Sequence, residues 1–320
     1  MKLAQLKTEA NDLISNLSGS RLVFFLDNGS TYIPKISKVD RESLKNITKG
    51  FVEKLKLDIV DNQDLTLPLL SNIDDRKNAL FIFDYQKKPQ EFNALHAASK
   101  LPPNSQDFYI PTPTFEDVKA IAFILYGNGK SISLYKNKTP LTVLKNTSNL
   151  VNFIMNKQGI LEELNNNIFK LDFNYDLFLL NDTFFIKNHR TLEIAMKFHT
   201  VITEQSSLAL QALKTSGMID DITHLEKSSA DISTARKLAK IAKHSPVLGK
   251  IDCPTVINFV SKHKILSCIL KTNSNGDKFV IKTKEAQKHF IKLMSDDYLE
   301  SELTKILYDS LAKDALQIQN

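Results

Sequence analysis

Basic side chains recur at helical spacing within residues 226–250. Ser228 and Asp231 resemble a capping box that starts a helix, and Pro246 with Gly249 ends it. One side of this predicted helix is apolar and can be buried, through Ile232, Ala235, Leu238, Ala239 and Ala242. The other side carries cations and no acid, namely Arg236, Lys237, Lys240 and Lys243. Because like charges at this spacing repel, the pattern indicates an anion-binding face, with a merely solvated face as the alternative.

Two further groups of cations follow. One consists of Lys262, His263 and Lys264, and the other recurs along a predicted helix as Lys284, Lys288 and Lys292. From Arg236 to Lys292 the chain holds thirteen Lys/Arg and three Asp/Glu, whereas the remainder holds 29 Lys/Arg and 33 Asp/Glu. A basic segment on a mildly acidic chain is typical of polyanion binding. With few aromatic residues to stack on bases, the segment favours phosphate contacts to duplex DNA over single-strand binding.

The alternative prediction is a Mg²⁺-dependent nuclease, in which carboxylates would bind the metal ion. Asp172, Asp176 and Glu193 lie at predicted strand ends or on the next helix, where they could converge on a metal. Turns at strand ends use aspartate routinely, and none of the seven histidines stands at metal-ligand spacing from another ligand. We therefore predict no catalytic residue, metal site or cofactor. A third alternative is a pure assembly protein whose basic faces meet an acidic partner or anionic lipid headgroups.

Residues 127–131, Gly-Asn-Gly-Lys-Ser, imitate the end of a phosphate-binding P-loop. That motif requires a glycine where this chain has Ile124, and a helix after the loop, whereas Ser131–Tyr135 continues as a strand. The segment is predicted to be a hairpin turn.

Composition sets the broad class. The chain has 320 residues, of which 42% are hydrophobic and 24% charged, with a net charge of +6, as in soluble globular proteins. No apolar run reaches the ~18–20 residues that span a bilayer, and Glu9 and Asp12 within the first periodic segment argue against a signal peptide. Two cysteines, Cys253 and Cys268, fit a reducing compartment. We expect a cytoplasmic location.

The predicted fold class is α+β, with an N-terminal mixed helix/strand part and a C-terminal helix-rich part with β-hairpins. We place the domain boundary near residue 110, giving an N-terminal α/β region (1–110) and a C-terminal region (111–320), although a single integrated domain is possible. Residues 86–115 are rich in proline and are predicted to be irregular. The predicted helices before residue 220 are residues 3–17, the segment after Asp40, Asn149–Asn156, and Thr191 to Gly217. The predicted strands there are Arg21–Leu26, Tyr32–Ile36, Asn78–Tyr85, Val118–Tyr126, Ser131–Tyr135, Phe169–Phe173, Asp176–Leu180 and Thr183–Ile186.

After the first basic helix, Asp252 and Pro254 predict the start of another helix. The remaining predicted elements are a hairpin of Lys264–Lys271 with Lys278–Lys282, a helix over Thr283–Met294, and a last helix over Tyr298–Leu316. Two helices followed by a hairpin resemble the order of a winged-helix unit.

The C-terminal two-thirds resembles a family first catalogued as an uncharacterised domain and later tied to the Kiwa anti-phage system, as its B protein. The resemblance is carried by the hairpin Ala120–Leu134, Phe169–Phe173, Phe184–Asn188, the helix from Leu192-Glu193, the Arg236-Lys237-Leu238 helix and Lys282–Leu307. It implies a bacterial cytoplasmic, homo-oligomeric protein (dimer or tetramer) that binds DNA and impedes phage replication and expression. It also implies recruitment to the inner membrane by a small multi-span partner, the Kiwa A protein. No site residue is carried over from the family.

Overall fold

The computed structural model describes residues 1–34, 41–74, 76–102, 114, 116–139, 143–144, 154–157, 160–163, 168–169, 172–301 and 307–310. The chain folds as two compact units. Unit 1 comprises Met1–Leu67, Asn78–Phe83 and Lys88–Met196, and unit 2 comprises Pro68–Lys77, Asp84–Lys87 and Lys197–Asn320. Unit 1 is built on an antiparallel sheet and unit 2 mainly on helices, which confirms the α+β class.

The predicted boundary near residue 110 lies outside the described residues. In the two compact units, the longest segment of unit 2 begins at Lys197, directly after Met196 of unit 1. Two short segments of the N-terminal half, Pro68–Lys77 and Asp84–Lys87, also belong to unit 2. Sequence patterns depend on neighbouring residues, so they do not show that segments far apart in the chain belong to the same unit.

Unit 1 contains helices α1 (Leu3–Ser15), α2 (Arg41–Leu55) and α3 (Gln90–Ser99). Its strands are β1 (Leu17–Leu26), β2 (Thr31–Tyr32), β3 (Phe81–Ile82), β4 (Val118–Gly127), β5 (Lys130–Asn137), β6 (Val143–Leu144), β7 (Ile154–Lys157), β8 (Ile160–Glu163), β9 (Ile168–Phe169), β10 (Leu177–Leu180) and β11 (Thr183–Ile186). Seven of them form one sheet in the order β2-β1-β4-β5-β10-β11-β3. One π-helical turn, Lys56–Val60, follows α2, and another, Thr191–Ala195, follows β11.

Successive side chains of a strand point to opposite faces of the sheet. Both faces of this sheet are covered by helices and buried. On one face, α1 and α2 pack around Phe123 and Phe185, and the Phe51 ring stacks on Phe123 with centroids 4.5 Å apart. On the other face, Phe92 of α3 stacks on Phe184 at 3.9 Å. The central strand β4 is therefore apolar along nearly its whole length.

The β4–β5 hairpin is confirmed at the position of the P-loop-like segment. Asn128 and Gly129 have φ values of 50° and 69°, the left-handed pair that a two-residue type I′ turn requires. Gly127 has a separate constraint, because a Cβ there would lie 2.3 Å from the Leu13 carbonyl oxygen.

Several predictions for unit 1 were wrong. The segment 86–115 contains α3, because Pro89 stands at the helix N-cap and Pro102 follows its end, where proline does not interrupt a helix. The predicted strand Asn78–Tyr85 shrinks to β3. Part of the helix predicted over Asn149–Asn156 lies outside the described residues, but its end belongs to β7, which pairs with β8.

Unit 2 contains α4 (His199–Ser216), α5 (Thr223–Ser228), α6 (Ile232–His244), α7 (Cys253–Lys262), α8 (Lys264–Ile269) and α9 (Lys284–Met294). Its strands are β12 (Lys271–Thr272), β13 (Phe279–Val280), β14 (Tyr298–Glu300) and β15 (Leu307–Asp309). One apolar core joins these elements, with Phe279 and Phe290 fully buried among leucines of α4, α6 and α8. Gly217, at φ 68°, ends α4 as predicted.

The segment Lys264–Lys271 was predicted as a strand, but Lys264–Ile269 forms α8. Leu266 and Leu270 are both buried, and their four-residue spacing suits a helix; short apolar runs do not distinguish the two structures. The hairpin shrinks to β12 and β13, so the winged-helix order lacks a proper wing. The helix predicted from Tyr298 was also wrong in its described part, where β14 pairs with β15; residues 311–320 lie outside the described residues.

Among the described helices, none has the length and apolar character that a bilayer crossing requires.

Candidate nucleic-acid interface

All ten predicted DNA contacts lie in unit 2, on α6, around the junction of α7 and α8, and on α9. Helix α6 begins at Asp231, whose carboxylate accepts a hydrogen bond from the Thr234 amide at 2.9 Å. The predicted capping role of Ser228 was wrong, because this residue ends α5. Ala235, Leu238, Ala239 and Ile241 are buried, while Ala242, predicted to be buried, is exposed.

The cations of α6 have different surroundings. Lys237 is exposed, whereas Arg236 and Lys240 are half-buried. Lys243 donates a hydrogen bond from Nζ to Oδ2 of Asp84 at 2.6 Å, and its ammonium lies 5.5 Å from the Tyr85 ring centroid. Of these four cations, Lys237 is exposed without an ion pair in the described residues, and Lys243 is already paired with a carboxylate.

Asp84 is the centre of a small polar cluster that the sequence did not reveal. The Ser71 amide donates to Oδ1 of Asp84 at 2.9 Å, and the Ser71 hydroxyl donates to Oδ2. Nε2 of His244 lies 2.7 Å from the same Ser71 Oγ. Because the hydroxyl proton is used on Asp84, His244 must donate its Nε2–H to Ser71. In a catalytic triad the histidine accepts the serine proton, so this arrangement does not activate Ser71.

The surroundings shift the pKa values of both ionisable groups. Burial raises the pKa of Asp84, but hydrogen bonds from Lys243 and Ser71, with the Lys243 charge, bring that pKa below its ordinary value. Burial lowers the pKa of His244, and the nearby charges of Lys243 and Lys240 lower it further against the opposing effect of Asp84. The favoured states are a charged Asp84 and a neutral His244.

His244 and Lys240 also line a cavity of about 120 Å³ together with Asp74 and Asp297. The Asp74 carboxylate is bound by the Arg76 guanidinium, with Nη2 2.7 Å from Oδ2. Lys240 thus lies in mixed-charge surroundings, which makes it less suited than Lys237 to a phosphate contact.

The second cation group lies where α7 ends and α8 begins. Asp252 caps α7 as predicted, accepting from the Thr255 amide at 2.9 Å. Lys262 and Lys264 are exposed. His263 between them is half-buried, with its ring 4.8 Å from that of Phe259 and its Nε2 3.9 Å from Oε2 of Glu300.

The third group lies on α9, whose predicted bounds are confirmed; the Thr283 hydroxyl accepts from the Ala286 amide. Lys284 and Lys288 are exposed and Lys292 is half-buried. The C-terminal ends of α6 and α9 lie together, because the buried Ser245 hydroxyl donates to the Met294 carbonyl at 2.6 Å. Helices α6 and α9 are therefore fixed relative to one another within unit 2.

The carboxylates of the nuclease alternative lie in unit 1. Asp176 is 4% exposed, and its two oxygens accept from the Asn137 amide at 2.8 Å and the Asn188 side-chain amide at 2.9 Å. Asp172 is exposed and accepts from the Asn174 amide, and Glu193 is buried. No group of three or more His, Cys, Asp or Glu within the described ranges could hold a metal ion.

Comparison with known proteins identifies relatives along nearly the whole chain. A family model described as Kiwa protein KwaB-like matches residues 115–304. The chain is similar to a protein named Kiwa protein KwaB from Escherichia coli O55:H7 (strain RM12579 / EPEC), with 55% identity over 316 residues that cover 99% of each chain. No solved structure matches the chain.

Proposed function

Because the chain belongs to the Kiwa protein KwaB-like family, we propose that it is the duplex-DNA-binding subunit of an anti-phage defence complex. Membership of the family makes it a component of an anti-phage defence system. The proposed mechanism is non-specific binding through the phosphate backbone, which impedes replication and expression of phage DNA.

One observation carries the DNA-binding part of the proposal. Five of the lysines predicted to contact DNA have exposed side chains without an ion pair in the described residues, namely Lys237, Lys262, Lys264, Lys284 and Lys288. Within the part of the chain that the structure describes, none of these five ammonium groups makes a hydrogen bond or an ion pair. Unpaired surface ammonium groups are free to displace the counterions of DNA phosphates, the main source of sequence-independent affinity.

These five exposed lysines also account for the lack of sequence preference. Lysine presents a point charge on a flexible stem and binds phosphate without the planar fork by which arginine reads guanine. If all five contact phosphates, the logarithm of the binding constant falls with the logarithm of salt concentration with a slope of roughly −4.5. Lys243 and His263 contribute less, because each lies beside a carboxylate.

We further propose that the protein acts on DNA without cleaving it. Asp176 accepts two hydrogen bonds, one from Asn137 at the end of β5 and one from Asn188 after β11, and Asp172 caps its own turn. Neither arrangement resembles the clustered, open carboxylates that a two-metal nuclease uses. The nuclease remains the alternative function, and Mg²⁺-dependent cleavage of purified DNA is its test.

We also propose that the protein assembles with copies of itself and with a membrane partner. The family resemblance supports a homo-oligomer, dimer or tetramer, recruited to the inner membrane by a small multi-span protein, the Kiwa A protein. The exposed lysines are also compatible with the alternative that this is a pure assembly protein. Its lysines would then bind an acidic partner or anionic lipid headgroups. That alternative predicts partner binding without DNA binding. Titration of labelled duplex DNA at several salt concentrations, with lysine-to-glutamine variants of α6 and α9, separates the two.

A further inference from the structure

The hairpin turn that imitates a P-loop lines a cavity of unit 1. Gly127, Gly129, Lys130 and Ser131 form one wall of a space of about 480 Å³. Lys100, just after α3, lies on the same cavity. Its volume is within the range of small-molecule sites, about 300–1,000 Å³. None of the residues proposed to contact DNA lines it.

From this cavity we infer a binding site for a mononucleotide, a function separate from DNA binding. Its two lysines, Lys100 and Lys130, supply positive charge for the phosphates. Both are exposed; Lys100 has no bound partner within the described ranges, and Lys130 lies 3.8 Å from Glu9. A phosphate chain thus meets two cations, each of which a nearby carboxylate holds only weakly.

The rest of the cavity differs in chemistry from a simple anion site. Leu101, Pro102 and Leu179 add apolar surface against which a base can pack. Tyr126 is held there by its hydroxyl, which donates to the Leu101 carbonyl at 3.2 Å. A phosphate-only ligand would leave this apolar wall unused.

Asp182 supplies a carboxylate to the cavity, and this carboxylate can accept a hydrogen bond from a ribose hydroxyl of the nucleotide. Its Oδ1 accepts from Nε2 of His96 at 2.5 Å, while 79% of its side chain is exposed. The hydrogen bond from His96 and nearby lysine charges hold the pKa of Asp182 below its ordinary value, so it stays an acceptor. Carboxylates accept hydrogen bonds from ribose hydroxyls in many nucleotide sites, and inorganic polyphosphate offers no such donor.

The test is calorimetric titration of the full chain with ATP, GTP and inorganic tripolyphosphate. We expect ATP or GTP to bind more tightly than tripolyphosphate. Lys100→Glu should weaken nucleotide binding about tenfold or more, because a charge-assisted contact becomes repulsive. Asp182→Asn should weaken nucleotide but not tripolyphosphate binding; asparagine suits the φ of 60° at this position, so the fold is kept.

Two controls separate this site from other lysines. Lys56→Glu changes an exposed lysine of unit 1 that does not line the cavity, and the double change Lys237→Gln, Lys288→Gln removes cations of unit 2. Both should leave nucleotide binding unchanged, and Lys100→Glu should leave DNA binding unchanged. The inference is overturned if neither nucleotide binds, if tripolyphosphate binds as tightly, or if the loss follows the unit 2 lysines rather than Lys100.

Discussion

Lys243 and Asp84 are 159 residues apart in the sequence, yet Nζ of Lys243 lies 2.6 Å from Oδ2 of Asp84. The contact ties a short segment of the N-terminal half to the most basic helix of unit 2. It also gives two cations of α6 different roles, because Lys243 stabilises the unit and Lys237 is open to a ligand. Stability and binding can therefore be measured with different variants of the same helix.

Asp84→Asn should destabilise unit 2. The amide keeps the size of the side chain and loses the charge, and the expected cost is about 1 kcal/mol because Lys243 is partly solvated. The pKa of Asp84 is lowered in the fold, so its contribution is present above the ordinary aspartate value near 4 and is lost as pH falls through the folded pKa. Urea unfolding should thus show a difference between wild type and variant at pH 7 that shrinks below about pH 4. An equal difference at both pH values would refute this role of the charge.

His244→Gln tests the neighbouring histidine. A folded-state pKa below the unfolded value near 6.5 means that the folded protein binds the proton less readily, so stability falls as pH drops from about 6.5. Glutamine keeps an N–H donor for Ser71 and does not titrate.

The variant should therefore lose that part of the pH dependence, which for one proton is at most about 1.4 kcal/mol per pH unit. The groups facing His244 are Lys240, Lys243, Asp84, Asp74 and Asp297. An unchanged slope between about pH 5 and 6.5 would assign the pH dependence to these carboxylates instead.

The two capping residues proposed for α6 provide a matched pair. Asp231→Ala should cost about 1 kcal/mol, because the Thr234 amide loses its acceptor. Ser228→Ala should have little effect on α6, since its hydroxyl donates within α5 to the Leu225 carbonyl. Thermal unfolding of both variants decides between them, and a larger loss for Ser228→Ala would restore the capping box predicted from sequence.

Local signals were enough to predict much of the fold. The Asn128-Gly129 turn, the Asp252 cap and helix α9 each depend on neighbouring residues, and all three are confirmed. Helix α8 and strand β14 were missed because their few apolar residues suit either structure, and tertiary packing decides which one forms.

Less of the candidate site could be predicted from the sequence. Charge and spacing predicted basic helix faces, and several of the predicted lysines are exposed, but their contacts with DNA stay a prediction. Charge and spacing did not show that Lys243 is paired, because Asp84 and Ser71 come from segments far away in the chain. No local pattern marks a carboxylate whose partners are so distant.

Asp176 and Asp172 separate a structural role from a catalytic one. Asp176→Ala leaves two donors without an acceptor in a buried place, so we expect a loss of about 2–4 kcal/mol in urea unfolding. Asp172→Ala should stay within about 0.5 kcal/mol of wild type. Equal stability of the two variants would contradict the structural role of Asp176. DNA incubated with wild type and Mg²⁺ should stay intact, and cleavage that Asp172→Ala abolishes would favour the nuclease.

The proposed DNA binding depends on the exposed lysines Lys237, Lys262, Lys264, Lys284 and Lys288, and fluorescence anisotropy of a labelled duplex tests it most directly. Wild type, the triple variant Lys237→Gln, Lys284→Gln, Lys288→Gln and the control Lys243→Gln are titrated at several salt concentrations. We predict that the triple variant binds more weakly and that its salt slope is shallower by roughly 2.7, at 0.9 for each lost phosphate contact. The control should keep the wild-type slope, because Asp84 already holds Lys243. A triple variant with unchanged affinity and unchanged salt slope would contradict the account.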